Sequence, residues 1–306
     1  MKVLITGAAG FLGSALANKL VNEGHEVVGI DDLSTGKEEV LHEEVLFTRG
    51  DVMDRPKLWT LLQEVDCVFH LAARVSVQES ISYPREYNAT NVGGTVSLME
   101  AMRDVGVKRV VFASSGAVYG EQEEQPLRED LSPAPDSPYA VSKLSAEYYV
   151  KTIGQLWGIE TVTLRIFNAY GPGQHLPPSH PPVIPNYLKQ AVGEGTLVIH
   201  NSGHQTRDYV FLDDVVRALS SAALAPDVNG KIINVGSGSE TSVTALADLV
   251  LQVAGTSAEV IHNPSDDGGV KRMRADISRA RSLLDYRPQV TLKEGLKLTL
   301  DRDDRF

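Results

Sequence analysis

Tyr139 and Lys143 stand four residues apart in Ser137-Pro138-Tyr139-Ala140-Val141-Ser142-Lys143, a spacing that sets a phenol and an ammonium on one face of a helix. The neighbouring residues predict that helix. Ser137 suits the N-cap, where its hydroxyl accepts a backbone N–H, and Pro138 suits the first helical position, where its missing N–H would have no partner. A free tyrosine ionises at about pH 10, too high for a base at neutral pH, and a cation held beside it favours the phenolate. The pair could therefore take a proton from a substrate hydroxyl. Standing alone, the same spacing also describes an amphipathic helix with a packed Tyr and a solvated Lys, so the choice rests on the rest of the chain.

Ser114 and Ser115 follow the apolar run Arg109–Ala113 and offer hydroxyls at a strand end, for a substrate or for the loop's own backbone. Earlier, Gly7-Ala8-Ala9-Gly10-Phe11-Leu12-Gly13 separates an apolar run, residues 2–6, from a helically spaced stretch, Ser14 to Val21. Glycines at such a turn let the backbone approach a pyrophosphate, which rests on the positive end of the helix. No Gly-Lys-Ser/Thr ending follows, so a nucleotide triphosphatase loop is excluded. A second strand, Glu26–Asp31, ends in an acid where a carboxylate accepts hydrogen bonds from an adenosine ribose and repels a 2′-phosphate, favouring NAD over NADP.

The elements that must position these groups alternate. Strands are expected at 2–6, 26–31, 45–47, 67–71, 109–113 and 161–166, with helices at 14–21, 54–63, 84–105 and from Ser137 onward. Strand and helix in alternation predict an α/β fold, a Rossmann-type doubly wound parallel sheet whose ligands gather at the carboxyl ends of the strands. Asp51-Val52 at the adenine edge and the small residues Leu71-Ala72-Ala73 lie at such ends. Residues 170–185 are too rich in Gly and Pro for regular structure and suit a binding loop. Beyond them come helices near 183–193, 213–224, 243–253, 276–284 and 292–301, with strands at 197–200, 208–211 and 231–235. The expected division is a dinucleotide domain over 1–168, with later strands near 208–235 interleaved, and a smaller mixed α/β substrate lobe over 169–306.

Taken together, Thr6–Gly13, Asp31–Gly36, Gly50–Val52, His70–Ala73, Asn91–Thr95, Ser114–Gly120, Ser137–Lys143, Leu164–Gly173 and Arg207–Val210 resemble, in order, the motifs of the extended short-chain dehydrogenase/reductases that act on nucleotide-sugars. Among these the chain is most similar to UDP-glucose 4-epimerases. The resemblance implies an NAD-dependent isomerase acting on a UDP-sugar. It implies Gly7, Gly10, Phe11, Leu12 and Gly13 at the NAD pyrophosphate, Asp31 at the adenosine ribose with Asp32 beside it on the cofactor, and Asp51 and Val52 at the adenine. Leu71, Ala72, Ala73 and Asn91 would line the middle of the cofactor. Lys143 would hold the nicotinamide ribose and tune Tyr139, and Ser115 would contact the reacting sugar oxygen. Asn168, Val183, His200 and Arg207 would hold the nucleotide and diphosphate. Lys271-Arg272 lies near a phosphate-binding arginine of the family, with Gly269 where the family has an acid; a solvated basic run describes these residues equally well.

The implied reaction is epimerisation at C4. Tyr139 takes the hydroxyl proton, NAD accepts the hydride, and the resulting 4-keto sugar turns over and is reduced on its other face. Dehydratases of the superfamily carry an Asp-Glu pair after the hydroxyl residue, and decarboxylases a Glu where Ala117 stands; this chain has Gly116-Ala117. Epimerases of UDP-glucuronate or of N-acetylated UDP-hexoses remain open, as does a non-catalytic NAD-binding regulator, although such relatives typically lose the Tyr or the Lys. A homodimer is expected from the family.

Composition bounds the partners. A chain of 306 residues with 42% hydrophobic residues can bury a large core, and a net charge of −11 disfavours nucleic acid. The single cysteine, Cys67, lies in an apolar run and permits neither a disulfide framework nor zinc spacing, which suits a reducing cytoplasm and no metal. No signal region or membrane segment is expected.

Overall fold

The computed structural model describes residues 1–263 and 269–306. In chain order the first elements are β1 (Lys2–Thr6), α1 (Phe11–Asn22), β2 (Glu26–Asp31), β3 (Leu46–Arg49), α2 (Arg55–Leu61), β4 (Cys67–His70), α3 (Val77–Ser82), α4 (Pro84–Tyr87), α5 (Gly94–Val105), β5 (Arg109–Ser115), α6 (Pro138–Trp157) and β6 (Glu160–Ile166). Then come β7 (Asn168–Tyr170), α7 (Val183–Val192), β8 (Leu197–His200), β9 (Thr206–Arg207), β10 (Tyr209–Phe211), α8 (Leu212–Leu224), β11 (Lys231–Val235), β12 (Thr241–Ser242), α9 (Val243–Ala254), β13 (Val260–Asn263), α10 (Ser278–Leu284) and α11 (Leu292–Arg302).

Seven parallel strands form one sheet in the order β11-β6-β5-β4-β1-β2-β3. The inner strands β1, β4, β5 and β6 are almost wholly buried, as a sheet covered on both faces requires, while the edge strand β3 has no buried residue. One face is packed by α1 and α8, the other by α2, α5 and α6, each around its own hydrophobic cluster. Strand order reverses direction between β1 and β4, which opens a crevice beyond their carboxyl ends.

A third cluster, built from Tyr170, Tyr187, Leu188, Ile199, Phe211, Leu246 and Leu296, is the core of a smaller lobe of α7, α9, α11 and short strand pairs. The chain crosses between the two more than once, since α8 and β11 return to the large sheet. The expected strand at 208–211 does not join that sheet. Tyr209–Phe211 pairs with Asn168–Tyr170 instead, because the outer edge of β6 is already taken by β11.

The helix expected from Pro84 to Val105 is a single helical run whose middle turn, Asn88–Gly93, widens to π geometry. Gly94 begins the α-helical part against Val52, where a Cβ would sit 2.4 Å from a valine methyl. The strand expected at 197–200 is β8, whereas the short helix α3 and the strands β9, β12 and β13, which form the pairs β9–β12 and β8–β13, have too little sequence periodicity to be expected. No helix among the described residues is long and apolar enough to cross a membrane.

Candidate active site

A cavity of about 890 Å³ opens between the carboxyl ends of the sheet strands and the smaller lobe. Its floor is the glycine turn. A Cβ on Gly7, whose φ is +71°, would meet the backbone nitrogen of Ala72 at 2.7 Å, and one on Gly13 would lie 1.9 Å from the Gly7 carbonyl. Only glycine allows β1, α1 and the Leu71–Ala73 strap to close this tightly. Gly10 caps α1 without any side chain, so the first N–H groups of the helix remain for an anion. Asp31 ends β2 with Oδ2 accepting the Ala9 N–H at 3.0 Å and Oδ1 accepting the Leu33 N–H at 2.8 Å. Burial raises its carboxyl above the usual range, and these backbone donors oppose the rise. Gly7, Gly10, Phe11, Leu12, Asp31, Asp32, Asp51, Val52, Leu71, Ala72 and Ala73 all line the cavity. Their uncapped helix end and acid-tipped second strand fit a dinucleotide.

Asn91, expected on the cofactor, lies behind that wall. Its Oδ1 accepts the Arg74 N–H at 2.8 Å, and its Nδ2 donates to the Arg74 carbonyl and to Ser142 Oγ. It ties the loop after β4 to α6, and its amide has no hydrogen left for the cavity.

At the centre, Ser137 caps α6 as the sequence predicts, accepting the Ala140 N–H. Tyr139 is held at this helix start by Ser80, whose Oγ accepts its N–H at 3.1 Å, and by Tyr87, whose ring stands edge-on at 6.4 Å between centroids. Tyr87 is itself tied to Glu79, 2.7 Å away. Sequence reasoning missed Ser80, Glu79 and Tyr87, and the available signal was Ser76, an N-cap serine three residues before Glu79. Ser115, the last residue of β5, accepts the Ala117 N–H at 3.1 Å and faces the Tyr139 hydroxyl with its own.

Lys143 lies one turn below Tyr139, its ammonium 4.8 Å from the centre of the Phe112 ring. Burial lowers it to about 8, against the pull of Glu147, which raises it. It therefore remains largely protonated at neutral pH. The Tyr139 phenol is raised by burial, and the Ser115 hydrogen bond opposes that. The ammonium is directed at an aromatic face, and in the unliganded chain burial outweighs it.

Beneath this group lies a directional hydrogen-bond chain. Thr95 donates to the Asn91 carbonyl at 2.6 Å, so its oxygen accepts from His70 Nε2 at 2.8 Å; Nδ1 is then bare and accepts from Thr6 at 2.8 Å. The Thr6 oxygen in turn accepts the Ala72 N–H at 3.2 Å. His70 is neutral, with burial first and the Lys143 charge second lowering it to about 3.

On the side of the smaller lobe, Asn168 and Arg207 line the cavity. Arg207 Nη1 donates to the Thr206 carbonyl at 2.8 Å, and burial lowers its pKa. Among the described residues no carboxylate pairs with it at ion-pair distance, although Glu121 and Asp136 act on its charge from further away. Val183 instead opens α7 and packs on the third cluster, leaving the preceding Pro182 on the cavity. His200 ends β8 on the surface, its carbonyl accepting from Gln205. Arg272 pairs with Glu240 at 2.5 Å, half-exposed and off the cavity wall. None of the three lines the cavity: Val183 turns to the third cluster, His200 lies at the exposed end of β8, and the Arg272 guanidinium is drawn to Glu240 although its neighbour Met273 faces the cavity.

A glycine-turn crevice at the switch point of a parallel sheet, facing a buried Tyr-Lys-Ser group, defines a dinucleotide-dependent enzyme of the extended short-chain dehydrogenase/reductase type. The profile of the "NAD dependent epimerase/dehydratase family" matches residues 3–236, and the chain belongs to that family, with NAD as its cofactor. It is 40% identical to a UDP-glucose 4-epimerase of Mycolicibacterium smegmatis, the match covering 98% of each chain. Its fold is similar to that of UDP-glucose 4-epimerase from Thermotoga maritima, solved with UDP-glucose, with a TM-score of 0.94, 34% identity and 98% of each chain covered. A UDP-glucuronic acid 4-epimerase from Bacillus cereus, solved with UDP-glucuronic acid and NAD, gives a TM-score of 0.90 at 34% identity, again over 98% of each chain.

Proposed function

We propose that this protein is a UDP-hexose 4-epimerase interconverting UDP-glucose and UDP-galactose. The observation that carries the reading is the meeting of Ser115 and Tyr139 above Lys143, at the point where the glycine-lined half of the cavity reaches the half bearing Asn168 and Arg207. Bound NAD supplies a hydride acceptor that later returns the hydride. Tyr139 Oη takes the C4 hydroxyl proton, and Ser115 Oγ hydrogen-bonds the same oxygen. Lys143, cationic at neutral pH, favours the ionised phenol once ligands order the site. Arg207, with no carboxylate partner among the described residues, would hold the diphosphate by its planar fork. Gly116 and Ala117 offer no proton-transferring group at the positions where dehydratases and decarboxylases of the superfamily carry one, which favours epimerisation over elimination of water or decarboxylation.

A neutral hexose suits the cavity better than a uronate. Arg74, the cation on the wall nearest α3, is paired with Glu79 at 3.6 Å, and a sugar carboxylate there would compete with that pair. The test is incubation of the NAD-loaded enzyme with UDP-glucose, UDP-N-acetylglucosamine and UDP-glucuronate, with products separated and identified by proton NMR. Conversion of UDP-glucose to UDP-galactose is expected; turnover of UDP-glucuronate alone would overturn the neutral-hexose reading. The outer face of α6 exposes Val141, Tyr148, Tyr149 and Leu156, which supports a homodimer through that helix. A monomeric mass in sedimentation would refute it. The buried free thiol of Cys67 suits a reducing cytoplasm.

A further inference from the structure

Asp208 lies next to Arg207 in Arg207-Asp208-Tyr209-Val210, yet it is fully buried and does not line the cavity. Its Oδ1 accepts the Ser237 N–H and the Ser237 hydroxyl, each at 2.6 Å. Its Oδ2 accepts the Gly238 N–H at 2.9 Å and the Ala275 N–H at 3.1 Å. With two donors on each oxygen, the group is satisfied as a carboxylate; a protonated carboxyl would turn an O–H toward these donors. The turn that encloses it needs glycine, since a Cβ on Gly236 would lie 2.9 Å from Oδ2 and 2.7 Å from the Ala275 methyl. The main chain is engaged as well. The Asp208 carbonyl accepts both the N–H of Asn168, at 3.1 Å, and its side-chain Nδ2–H, at 3.2 Å.

Three segments distant in sequence therefore converge on one residue, and those of Asn168 and Ala275 lead to the cavity, as does the segment of Asp208 itself through Arg207. Asn168 and Arg207 line its wall directly, as does Met273, two residues before Ala275. The proton-transfer group stands on other elements, β5 and α6.

We infer that Asp208 is a positioning residue for the nucleotide half of the site, holding Asn168, Arg207 and the strap through Met273 in the arrangement that receives the diphosphate. This rests on the UDP-sugar reading above. Its loss should therefore weaken the hold on UDP and leave the hold on NAD, because the glycine turn and Asp31 share none of its partners.

The test is calorimetric titration of UDP into NAD-loaded wild type, Asp208→Asn, Arg207→Ala and the double variant, with KM and kcat for UDP-glucose measured alongside. Asparagine keeps the shape but in either orientation sets an amide donor against at least one backbone N–H group. UDP affinity should fall roughly tenfold in Asp208→Asn. KM should rise by a similar factor, kcat should stay within about threefold and NAD content should be unchanged. In the double variant the two losses should combine to clearly less than their product, since one residue acts through the other. Wild type that does not bind UDP overturns the UDP-sugar reading itself. Wild type that binds, with Asp208→Asn binding equally well, overturns the inference alone. A fully multiplicative double variant, or a loss confined to kcat, also overturns it. Should Asp208→Asn fail to fold, Ser237→Ala removes one of the four donors from a half-exposed residue, and a UDP affinity unchanged from wild type refutes the inference in the same way.

Discussion

Acidification from pH 7 to pH 5 should cost this protein about 2 kcal/mol of stability through a single side chain, His70. The ring is fully buried between Thr6 and Thr95, and their hydrogen bonds leave Nδ1 as an acceptor and Nε2 as a donor. Burial, with Lys143 adding to it, lowers His70 from 6.5 to about 3. A base depressed in the folded state is protonated first in the unfolded chain, so stability is fully present above about pH 6.5 and declines as pH falls toward 3. At pH 5 the unfolded imidazole is protonated by about 30 to 1 while the folded one is not, and RT ln 30 is about 2 kcal/mol. Urea unfolding at pH 7, 6 and 5, in the same excess of NAD, measures this against His70→Gln, which has no titrating ring. The variant should be less stable at pH 7, having lost part of the hydrogen-bond chain, but flatter with pH. Equal loss in both proteins between pH 7 and pH 5 would refute the assignment of a buried neutral imidazole.

Tyr139→Phe removes only the oxygen proposed to take the proton, leaving the ring packed on Tyr87. NAD content should therefore persist while kcat falls by about 10² to 10⁴, and steady-state kinetics within threefold of wild type would dismiss Tyr139 as the base. Gly13→Ala places a methyl 1.9 Å from the Gly7 carbonyl, so the turn must open; a thermal scan should show a loss of about 2 kcal/mol. The absorbance of nucleotide released on denaturation should show a lower NAD content than wild type, and full occupancy would mean that the turn tolerates a side chain.

The helix that carries Tyr139 and Lys143 was readable because its signals are local. Ser137 and Pro138 mark the start of α6, and the spacing of Tyr139 and Lys143 places them on one face whatever packs against it. The glycine turn and Asp31 were readable for the same reason, since a tight turn and a strand end depend on the residues that form them. Where Val183, His200 and Arg272 point was not, because each was implied only by its place in the family's order of motifs and its direction depends on contacts made across the smaller lobe. Arg272 shows the reason most clearly. Whether its guanidinium enters the cavity depends on Glu240, thirty-two residues earlier, and no local pattern encodes that pairing.

The sequence by itself determined the parallel sheet, its glycine-lined crevice and the chemical types at its centre, because apolar runs, helix caps and turn glycines act over a few residues. Only the tertiary structure decided what those groups experience. Burial against Phe112 sets the Lys143 charge, the ring of Tyr87 and the hydroxyl of Ser80 hold Tyr139, and four donors from two distant segments close on Asp208. Desolvation and hydrogen bonding depend on what lies nearby in space, and that is assembled only when the chain has folded.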